Sequence, residues 1–446
     1  MAERIAPQDA VFFLLEGRTT PYHMGALLEL HGPAPSFDEI CRAIGPRLRL
    51  LPRFHSRLAS KMGAPAWTED EDLDLGYHVR CISLPSPGDD RQLKTAVARL
   101  MAQHLNRHRP LWEMWVIDMG RSTRSAVLLK AHHALIDGVT AAHDLELLLG
   151  GGPLQAALDA VTPDAATSVR DRPGGLGATA RRFARAASSP TRIVSAATDV
   201  TLSLADATRL LLAPAPRCTL NRRIGPNRGF EFAEAPLQDF KIIKASLGGT
   251  VNDVVMAAIA GALRRWFLEM GEPVDGLELR ALVPVSLRRD GDERTDGNVV
   301  TGVIGPLPVF EADPKRRLSI VRGAMHSETL RRQGIGNAIL LQLPTHLPRP
   351  LGRIAADVQS IQRYFNISVP NIRGPEDRLR LARRPISRIV PIPPLSANAG
   401  LIICALSYAG AMTFGLMADP EVCPRLDIIA EGIEKEVAEL RVEAWA

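Results

Sequence analysis

The stretch that decides the fold is LLKAHHALIDGVTAAHDLELLL, residues 128–149. An apolar run leads into the adjacent pair His132 and His133, and a tight turn with Asp137 and Gly138 follows before a short helical pattern. A histidine at the end of a strand, beside a sharp turn, lies at a sheet edge that a channel can reach. Three interpretations are open for the pair: a catalytic base with its neighbour, two metal ligands, or two core histidines.

The alternation of side chains along a strand argues against a metal at this pair. Neighbouring residues of a strand point to opposite faces, so His132 and His133 converge poorly on one ion. Asp137 is the candidate for a third metal ligand, and neither an H-x-x-x-H pair nor a cysteine lies near it. The usual zinc ligand sets are therefore not matched, and we expect no metal.

The chemistry that suits such a histidine is proton abstraction. The imidazole pKa lies near working pH, so the ring can take a proton from a hydroxyl group as that hydroxyl attacks a carbonyl. The chain has no G-x-S-x-G elbow and so offers no obvious serine nucleophile for a covalent route. The residues favour direct acyl transfer between an activated donor and a hydroxyl acceptor.

Length and composition describe an ordinary globular protein of two domains. The chain has 446 residues, of which 46% are hydrophobic and 23% charged, and this length exceeds what one core usually supports. Its 5 cysteines include no C-x-x-C pair, which fits a reducing cytosol rather than a disulfide scaffold. The first residues, MAERIAPQDAVFFLLEG, lack the pattern of a signal peptide. We therefore expect a cytoplasmic protein.

Strand-like and helix-like segments alternate along both halves, which predicts a mixed α/β fold. Ser36 begins a capping box at a helix start, and LWEMWVID and SAVLLKAHH predict a hairpin. The segment Ile389–Ala418 carries no charge and is long enough to span a bilayer. Its prolines and the turn sequence SANAG favour instead two buried strands that meet at Gly410.

A basic segment separates the two halves. We place the domains at residues 1–152 and 231–446, with a linker at 153–230. Residues 165–229 hold 11 Arg minus 3 Asp, a net charge of +8, against +5 for the whole chain. This segment is either a basic amphipathic linker that touches an anionic lipid surface or a solvated helix packed on the domains. It lacks interleaved aromatic residues, so we expect no nucleic acid partner.

HHALIDG and six further blocks resemble a known family. HHALIDG, residues 132–138, is similar to the HHxxxDG motif of the coenzyme A-dependent acyltransferase superfamily, which includes chloramphenicol acetyltransferases and condensation domains. The closer resemblance is to the bacterial wax ester synthase/diacylglycerol acyltransferase family. It is carried, in the family's order, by the blocks IAPQDAVFFLLEGRTTPYHMGALLEL, RPLWEMWVID, GGTVNDVVMAAIAGALRRWF, RALVPVSLRRDGDERTDGNVV, FNISVPNIRGP and LSYAGAMTFGLMAD.

The resemblance implies an α/β (α+β) fold of two chloramphenicol-acetyltransferase-like domains, a pseudo-symmetric pair with a channel between them. Acyl-CoA enters from one side as a co-substrate, and no cofactor is needed. The acceptor, a diacylglycerol or a long-chain alcohol, enters from the other side. His133 matches the family's general base. His132 and Asp137 match positions that support its loop, and Gly138 allows the turn.

Three further positions complete the predicted site. Asn252 and Asp253 match the ND pair of the family. Asn252 is the candidate for contact with a substrate or an oxyanion through its amide donor, whereas Asp253 fits a capping box with Thr250. Arg280, which opens an apolar strand, is the candidate partner of Asp137.

The predicted function is acyl-CoA-dependent O-acyl transfer that makes triacylglycerol, wax ester or both. We expect the protein to associate peripherally with the inner membrane or with lipid droplets, where its apolar acceptors reside. One alternative is a condensation-type enzyme that uses carrier-protein thioesters. Another is a non-catalytic lipid-droplet or membrane-surface binding protein of the same fold, which would not need His133. After Asn221 the chain reads RRIGPNRGF, which is more basic than the family's usual Gly-Pro-Ile turn.

Overall fold

The computed structural model describes residues 3–5, 7–61, 64–120, 123–136, 141–150, 214–286, 300–327 and 364–445. Within them the strands are β1 (Glu3–Arg4), β2 (His23–His31), β3 (Ser56–Lys61), β4 (Ala64–Glu69), β5 (Val79–Ser83), β6 (Trp112–Asp118), β7 (Arg124–His132), β8 (Gly229–Pro236), β9 (Glu278–Ser286), β10 (Val300–Pro308), β11 (Ile367–Ser368), β12 (Asn371–Arg373), β13 (Arg380–Leu381), β14 (Arg384–Ile392), β15 (Leu401–Tyr408) and β16 (Ala411–Ala418). The helices are α1 (Pro7–Leu15), α2 (Phe37–Leu48), α3 (Leu75–His78), α4 (Asp90–Ala102), α5 (Ala141–Leu149), α6 (Leu237–Leu247), α7 (Val251–Glu269), α8 (Pro314–Met325) and α9 (Leu426–Glu443), with a short 3-10 helix at Pro52–His55.

The sheet of the N-terminal half carries the histidine-bearing strand. Its order within the described residues is β13-β14-β2-β7-β6-β5, and β1, β4 and β3 form a small separate sheet. β6 and β7 are antiparallel neighbours, so the predicted hairpin is confirmed. Val127 and Leu129 of β7 pack into one hydrophobic cluster and Leu128 into another. Because both faces of β7 are covered, its central residues 126–129 are all apolar rather than alternating.

The sheet of the C-terminal half has the order β10-β9-β11-β15-β16-β8, with β12 beside β15, in the part of the chain that is described. β15 and β16 form an antiparallel hairpin whose turn contains Gly410 at φ +88°. This confirms the prediction that most of the uncharged segment is a pair of buried strands. α7 is buried along almost its whole length in the cluster that covers this sheet.

The two halves are joined by a strand that crosses between them. β14 belongs to the C-terminal half of the sequence, yet it pairs with β2 of the N-terminal sheet, with Ile389 opposite Leu28. β14 also lies against β16, where a Cβ at Gly415 would overlap the carbonyl oxygen of Pro391. Glycine therefore permits the close approach of the two backbones. A hydrophobic cluster with side chains from both halves, including Leu93 and Phe230, fills the junction.

Two helices begin with reciprocal side-chain caps. At α2 the Glu39 N–H donates to Ser36 Oγ over 3.2 Å and the Ser36 N–H donates to the Glu39 carboxylate over 2.8 Å, which confirms the predicted capping box. Thr250 and Asp253 make the equivalent pair of bonds at the start of α7. Each cap satisfies backbone donors that the first helical turn leaves open.

Among the described residues, no single helix is long and apolar enough to cross a membrane. One pair of helices, α6 and α7, passes by length and composition together, but the pair is bent by 101°. The mixed α/β fold predicted from the alternation of segments is confirmed. The domain boundaries at 152 and 230 stay predictions, and Asp137, Gly138 and most of the basic linker lie outside the described residues.

Candidate active site

The two adjacent histidines lie where β7 ends. His132 is the last residue of the strand and pairs in register with His23 of β2. His133 is the first residue of the following turn, and its N–H donates to the Tyr22 carbonyl over 3.0 Å. The Leu135 N–H then closes the turn on the His132 carbonyl over 2.9 Å. The start of β2 and the turn after β7 thus fix the backbone of both histidines.

Two consecutive phenylalanines of α1 hold the two imidazole rings. Phe12 stacks on His133 with ring centroids 3.9 Å apart, and Phe13 stacks on His132 at 4.6 Å. His132 is 2% exposed, whereas His133 is only partly buried. Aromatic stacking of this kind contributes about 0.5–1.5 kcal/mol beyond the area that it buries. The packing therefore orients His133 while leaving part of it open to a ligand.

A hydrogen bond from the turn determines the tautomer of His132. The Ala134 N–H donates to His132 Nδ1 over 3.0 Å, so this nitrogen carries no proton and the proton of the neutral ring is on Nε2. His132 Nε2 lies 3.6 Å from Glu16 Oε2. His132 is thereby bonded to the turn through Nδ1, and its Nε2 faces a carboxylate.

Glu16 is the acidic centre of this support. Its buried carboxylate also pairs with Arg107, and His104 Nδ1 lies 3.4 Å from its other oxygen. Burial alone would raise the pKa of Glu16, but the bonds with His132 and Arg107 outweigh burial and lower it. Glu16 is therefore ionised at neutral pH, and a negative charge stands directly behind His132.

His23 completes a group of imidazoles around Glu16. Its ring lies 6.1 Å from His132 and 6.0 Å from His104, between centroids. Burial, and then the charge of Lys130, lower the pKa of His23 well below its usual value, so the ring is neutral. Within the described residues no group of three His, Cys, Asp or Glu side chains is placed to hold a metal ion.

Tyr22, whose carbonyl accepts the His133 N–H, has an unusual backbone. Its φ of 47° is in the left-handed region, which a residue with a bulky side chain rarely adopts. The ring is buried, and burial raises the pKa of the Tyr22 hydroxyl, an effect that a hydrogen bond with Ser396 partly offsets. Ser396 follows β14, so the histidine turn lies where the two halves meet. Strained residues of this kind cluster at functional sites.

The predicted residues of the C-terminal half lie on other elements. Asn252 is in the first turn of α7, where its Oδ1 accepts a bond of 3.4 Å from Asn371. Asp253 is 1% exposed and caps the same helix. Arg280 is on β9, and its backbone N–H donates to Asn366 over 2.8 Å. The partnership predicted for Arg280 involves Asp137, which is outside the described residues, as is Gly138.

This fold is shared with a wax ester synthase/diacylglycerol acyltransferase and with a condensation domain of known structure. A wax ester synthase/diacylglycerol acyltransferase from Marinobacter aquaeolei VT8 superposes with a TM-score of 0.67 at 25% identity, over 100% of both chains. The first condensation domain of the calcium-dependent antibiotic synthetase superposes with a TM-score of 0.61 at 18% identity, over 100% of this chain and 96% of that domain. The fold therefore defines a protein of the acyltransferase and condensation-domain class.

The sequence comparisons specify the family within that class. The family model described as wax ester synthase/diacylglycerol acyltransferase catalytic domain matches residues 5–255, and the WS/DGAT C-terminal domain matches residues 296–441. The curated protein "Probable diacyglycerol O-acyltransferase tgs1" of Mycobacterium tuberculosis is 32% identical over 97% of this chain and 94% of its own length. The curated protein "Probable diacyglycerol O-acyltransferase tgs2" of the same organism is 32% identical over 97% of this chain and 98% of its own length. The chain belongs to the wax ester synthase/diacylglycerol acyltransferase family.

Sequence reasoning identified the histidine pair but missed the residues that hold it. Phe12, Phe13, Glu16 and Tyr22 all come from the first 22 residues, about 110 positions before His133. No local pattern marks them, because their spacing is that of an ordinary apolar helix followed by a turn. The resemblance of the N-terminal block to the family was the one signal that pointed to this region.

We predict that Glu16→Gln lowers kcat more than it raises KM. Removal of the charge leaves the His132 ring and the turn that carries His133 less firmly fixed. If His133 acts on the substrate, such a loss of position lowers the rate by about tenfold or more. The lowered pKa of Glu16 means that its contribution to stability is present at neutral pH and is lost as pH falls through that pKa. The difference in urea midpoint between wild type and variant should therefore be largest at pH 7 and should decrease at acidic pH. Glu376→Gln, at an 81% exposed side chain, is the matched control; equal kcat values for wild type and Glu16→Gln would contradict the role.

Proposed function

We propose that this protein is an acyl-CoA-dependent O-acyltransferase that uses His133 as general base. The acyl group is a long chain, and the acceptor is a diacylglycerol, a long-chain alcohol or both. The observation that carries the proposal is the placement of His133, which is stacked, partly open and set at the junction of the two halves. Membership of the family supports the reaction type, and the names of the relatives support the acceptor.

The proposed reaction is a direct transfer with one intermediate. The acceptor hydroxyl gives its proton to His133, and its oxygen attacks the carbonyl carbon of the thioester. The tetrahedral intermediate collapses as the C–S bond breaks, and the departing thiolate takes the proton from the imidazolium. The products are the ester and free coenzyme A, and His133 returns to its starting state. Nδ1 of His133 is buried, so Nε2 is the nitrogen that we assign to this proton transfer.

The co-substrate supplies all the activation that the step needs. The thioester is already an activated acyl donor, so we propose that no further cofactor takes part and that no metal is bound. The apolar acceptors imply that the protein works at a membrane or lipid-droplet surface from the cytoplasmic side. Asn252 is our candidate for contact with a substrate. Asp137 and Arg280 are our candidate pair for support of the loop that follows His133. No nucleic acid partner is proposed.

Release of coenzyme A tests the function directly. Purified protein is incubated with palmitoyl-CoA and either dioleoylglycerol or hexadecanol, and thiol release is followed together with the ester product by mass spectrometry. Acceptor-dependent release with matching ester is the expected result, and the better acceptor identifies the main product. Transfer only from a carrier-protein thioester would identify a condensation-type enzyme. Lipid binding without turnover from any donor would identify a binding protein and contradict the proposal.

A further inference from the structure

A basic groove lies between the two halves, on one side of α4. It has a volume of about 480 Å³ and runs between α4 and the segment that leads into β8. Its charged lining residues are Arg91, Lys94, Arg99, Arg228 and Glu231. Thr95, Ala98 and Ala102 provide the small side chains of its floor. The groove is therefore bounded by both halves of the chain and is open to a ligand.

The groove carries excess positive charge. Lys94 forms an ion pair with Glu231, so four cations and one carboxylate leave a net charge of +3. Within the described residues, Arg91 and Arg99 make no side-chain hydrogen bond or ion pair. They lie on one face of α4, eight residues and therefore about 12 Å apart. Two cations at that separation suit a ligand with negative charge at more than one position.

Among the described residues, backbone carbonyls rather than a carboxylate hold Arg228 in the wall of the groove. Its guanidinium donates to the backbone carbonyls of Gly225 and Asn227, over 2.9 and 2.7 Å, and to that of Thr19. Asp419 is the nearby acid, but its carboxylate accepts the N–H groups of Gly225 and Glu421. Burial lowers the pKa of Arg228, and Asp419 only partly offsets this. A half-buried cation held in this way is stabilised by an anion that enters the groove.

The groove also leads toward the histidine turn. Lys130 of β7 donates to the carbonyls of Leu100 and Gln103 at the end of α4, over 2.8 and 2.6 Å. Arg228 bonds to Thr19, three residues before the Tyr22 that holds the His133 backbone. One end of the groove is therefore tied to the strand and the loop that position the proposed base.

We propose that this groove binds the nucleotide phosphates of the acyl-thioester donor. The inference rests on the proposed function, and it assigns the residues that select a phosphorylated donor. The charges lie in a cleft between the two halves, on elements that contact the strand and the loop of the histidine site, which favours the phosphates of a donor over the headgroups of a flat lipid surface. The basic segment RRIGPNRGF, residues 222–230, provides Arg228 on one wall.

The test compares two donors that differ only in the phosphorylated nucleotide. Palmitoyl-CoA and palmitoyl-pantetheine carry the same thioester, but the second has no adenosine or phosphate. The Arg91→Gln/Arg99→Gln variant is measured beside Arg378→Gln, an exposed arginine outside the groove. Each charge-assisted hydrogen bond to phosphate contributes on the order of tenfold in affinity. We expect the KM for palmitoyl-CoA to rise about tenfold or more in the double variant, with kcat retained and the KM for palmitoyl-pantetheine unchanged.

Direct binding separates this inference from the proposed function. Coenzyme A alone is titrated calorimetrically into wild type and each variant, at low and high salt, because screening weakens such contacts. Weaker binding in the double variant supports the groove even if no transfer is found with any donor. Unchanged affinity for coenzyme A overturns it, even where wild type is an active acyltransferase. Loss of binding to phosphatidylglycerol vesicles, with coenzyme A binding intact, also overturns it and identifies a headgroup site.

Discussion

His133→Ala is expected to lower kcat/KM for acyl transfer by about a hundredfold or more, because a general base contributes 10²–10⁴-fold in rate. The fold should survive, since His133 is only partly buried and its backbone bond to Tyr22 does not depend on the side chain. The loss of stacking on Phe12 costs about 1 kcal/mol in the free energy of unfolding. Initial rates of coenzyme A release and urea unfolding curves measure the two quantities on the same preparations.

His132→Ala is the matched comparison, because it removes the same side chain one residue earlier. His132 is 2% exposed, stacks on Phe13 and faces Glu16, so its removal leaves a cavity and a buried carboxylate with one partner fewer. We expect this variant to be destabilised by about 2 kcal/mol or more. A His133→Ala enzyme within a few-fold of wild-type activity, or a loss explained by unfolding alone, would remove His133 from the mechanism.

The local structure around these residues could be predicted from sequence wherever a short pattern determines it. The cap at Ser36, the β6–β7 hairpin and the turn at Gly410 each depend on a few neighbouring residues. Trp112 and Trp115, three positions apart on one strand, pack into different clusters. Alternation along a strand is enough to decide that.

Long-range pairing could not be predicted in the same way. Only the end of β14, from Ile389 onward, belongs to the uncharged segment, and nothing in its sequence indicates that β2, more than 350 residues away, is its partner. The requirement for glycine at 415 arises only when the Pro391 carbonyl is in place. The histidine pair is a short local pattern and could be predicted from the sequence. The contacts that Glu16 and the two phenylalanines make with it depend on the fold, so they could be identified only in the structure.

A buried ion pair in the C-terminal half is a further case in which only the structure shows why a glycine is needed. Arg317 of α8 pairs with Glu436 of α9, and their side chains are 2% and 3% exposed. Arg317 also donates to the carbonyls of Glu311 and Ala312. Gly261 of α7 lies beside them, where a Cβ would overlap both charged groups. Glycine in the middle of this helix costs about 1 kcal/mol of helix propensity, and its missing Cβ leaves the room that the ion pair occupies.

Glu436→Gln should therefore destabilise the protein by about 3 kcal/mol. The substitution keeps the shape of the side chain but leaves the guanidinium of Arg317 buried without its counter-charge, and breaking a buried pair costs about 3–5 kcal/mol. The lower end of that range applies because the backbone carbonyls of Glu311 and Ala312 remain as acceptors. Glu431→Gln is the matched control on the same helix, since Glu431 is 65% exposed and forms an ion pair with the exposed side chain of Lys435 four residues later. It should change the free energy of unfolding by less than about 0.5 kcal/mol. Urea midpoints compared at pH 7 measure the difference, and equal midpoints for the two variants would show that the fold does not depend on this charge.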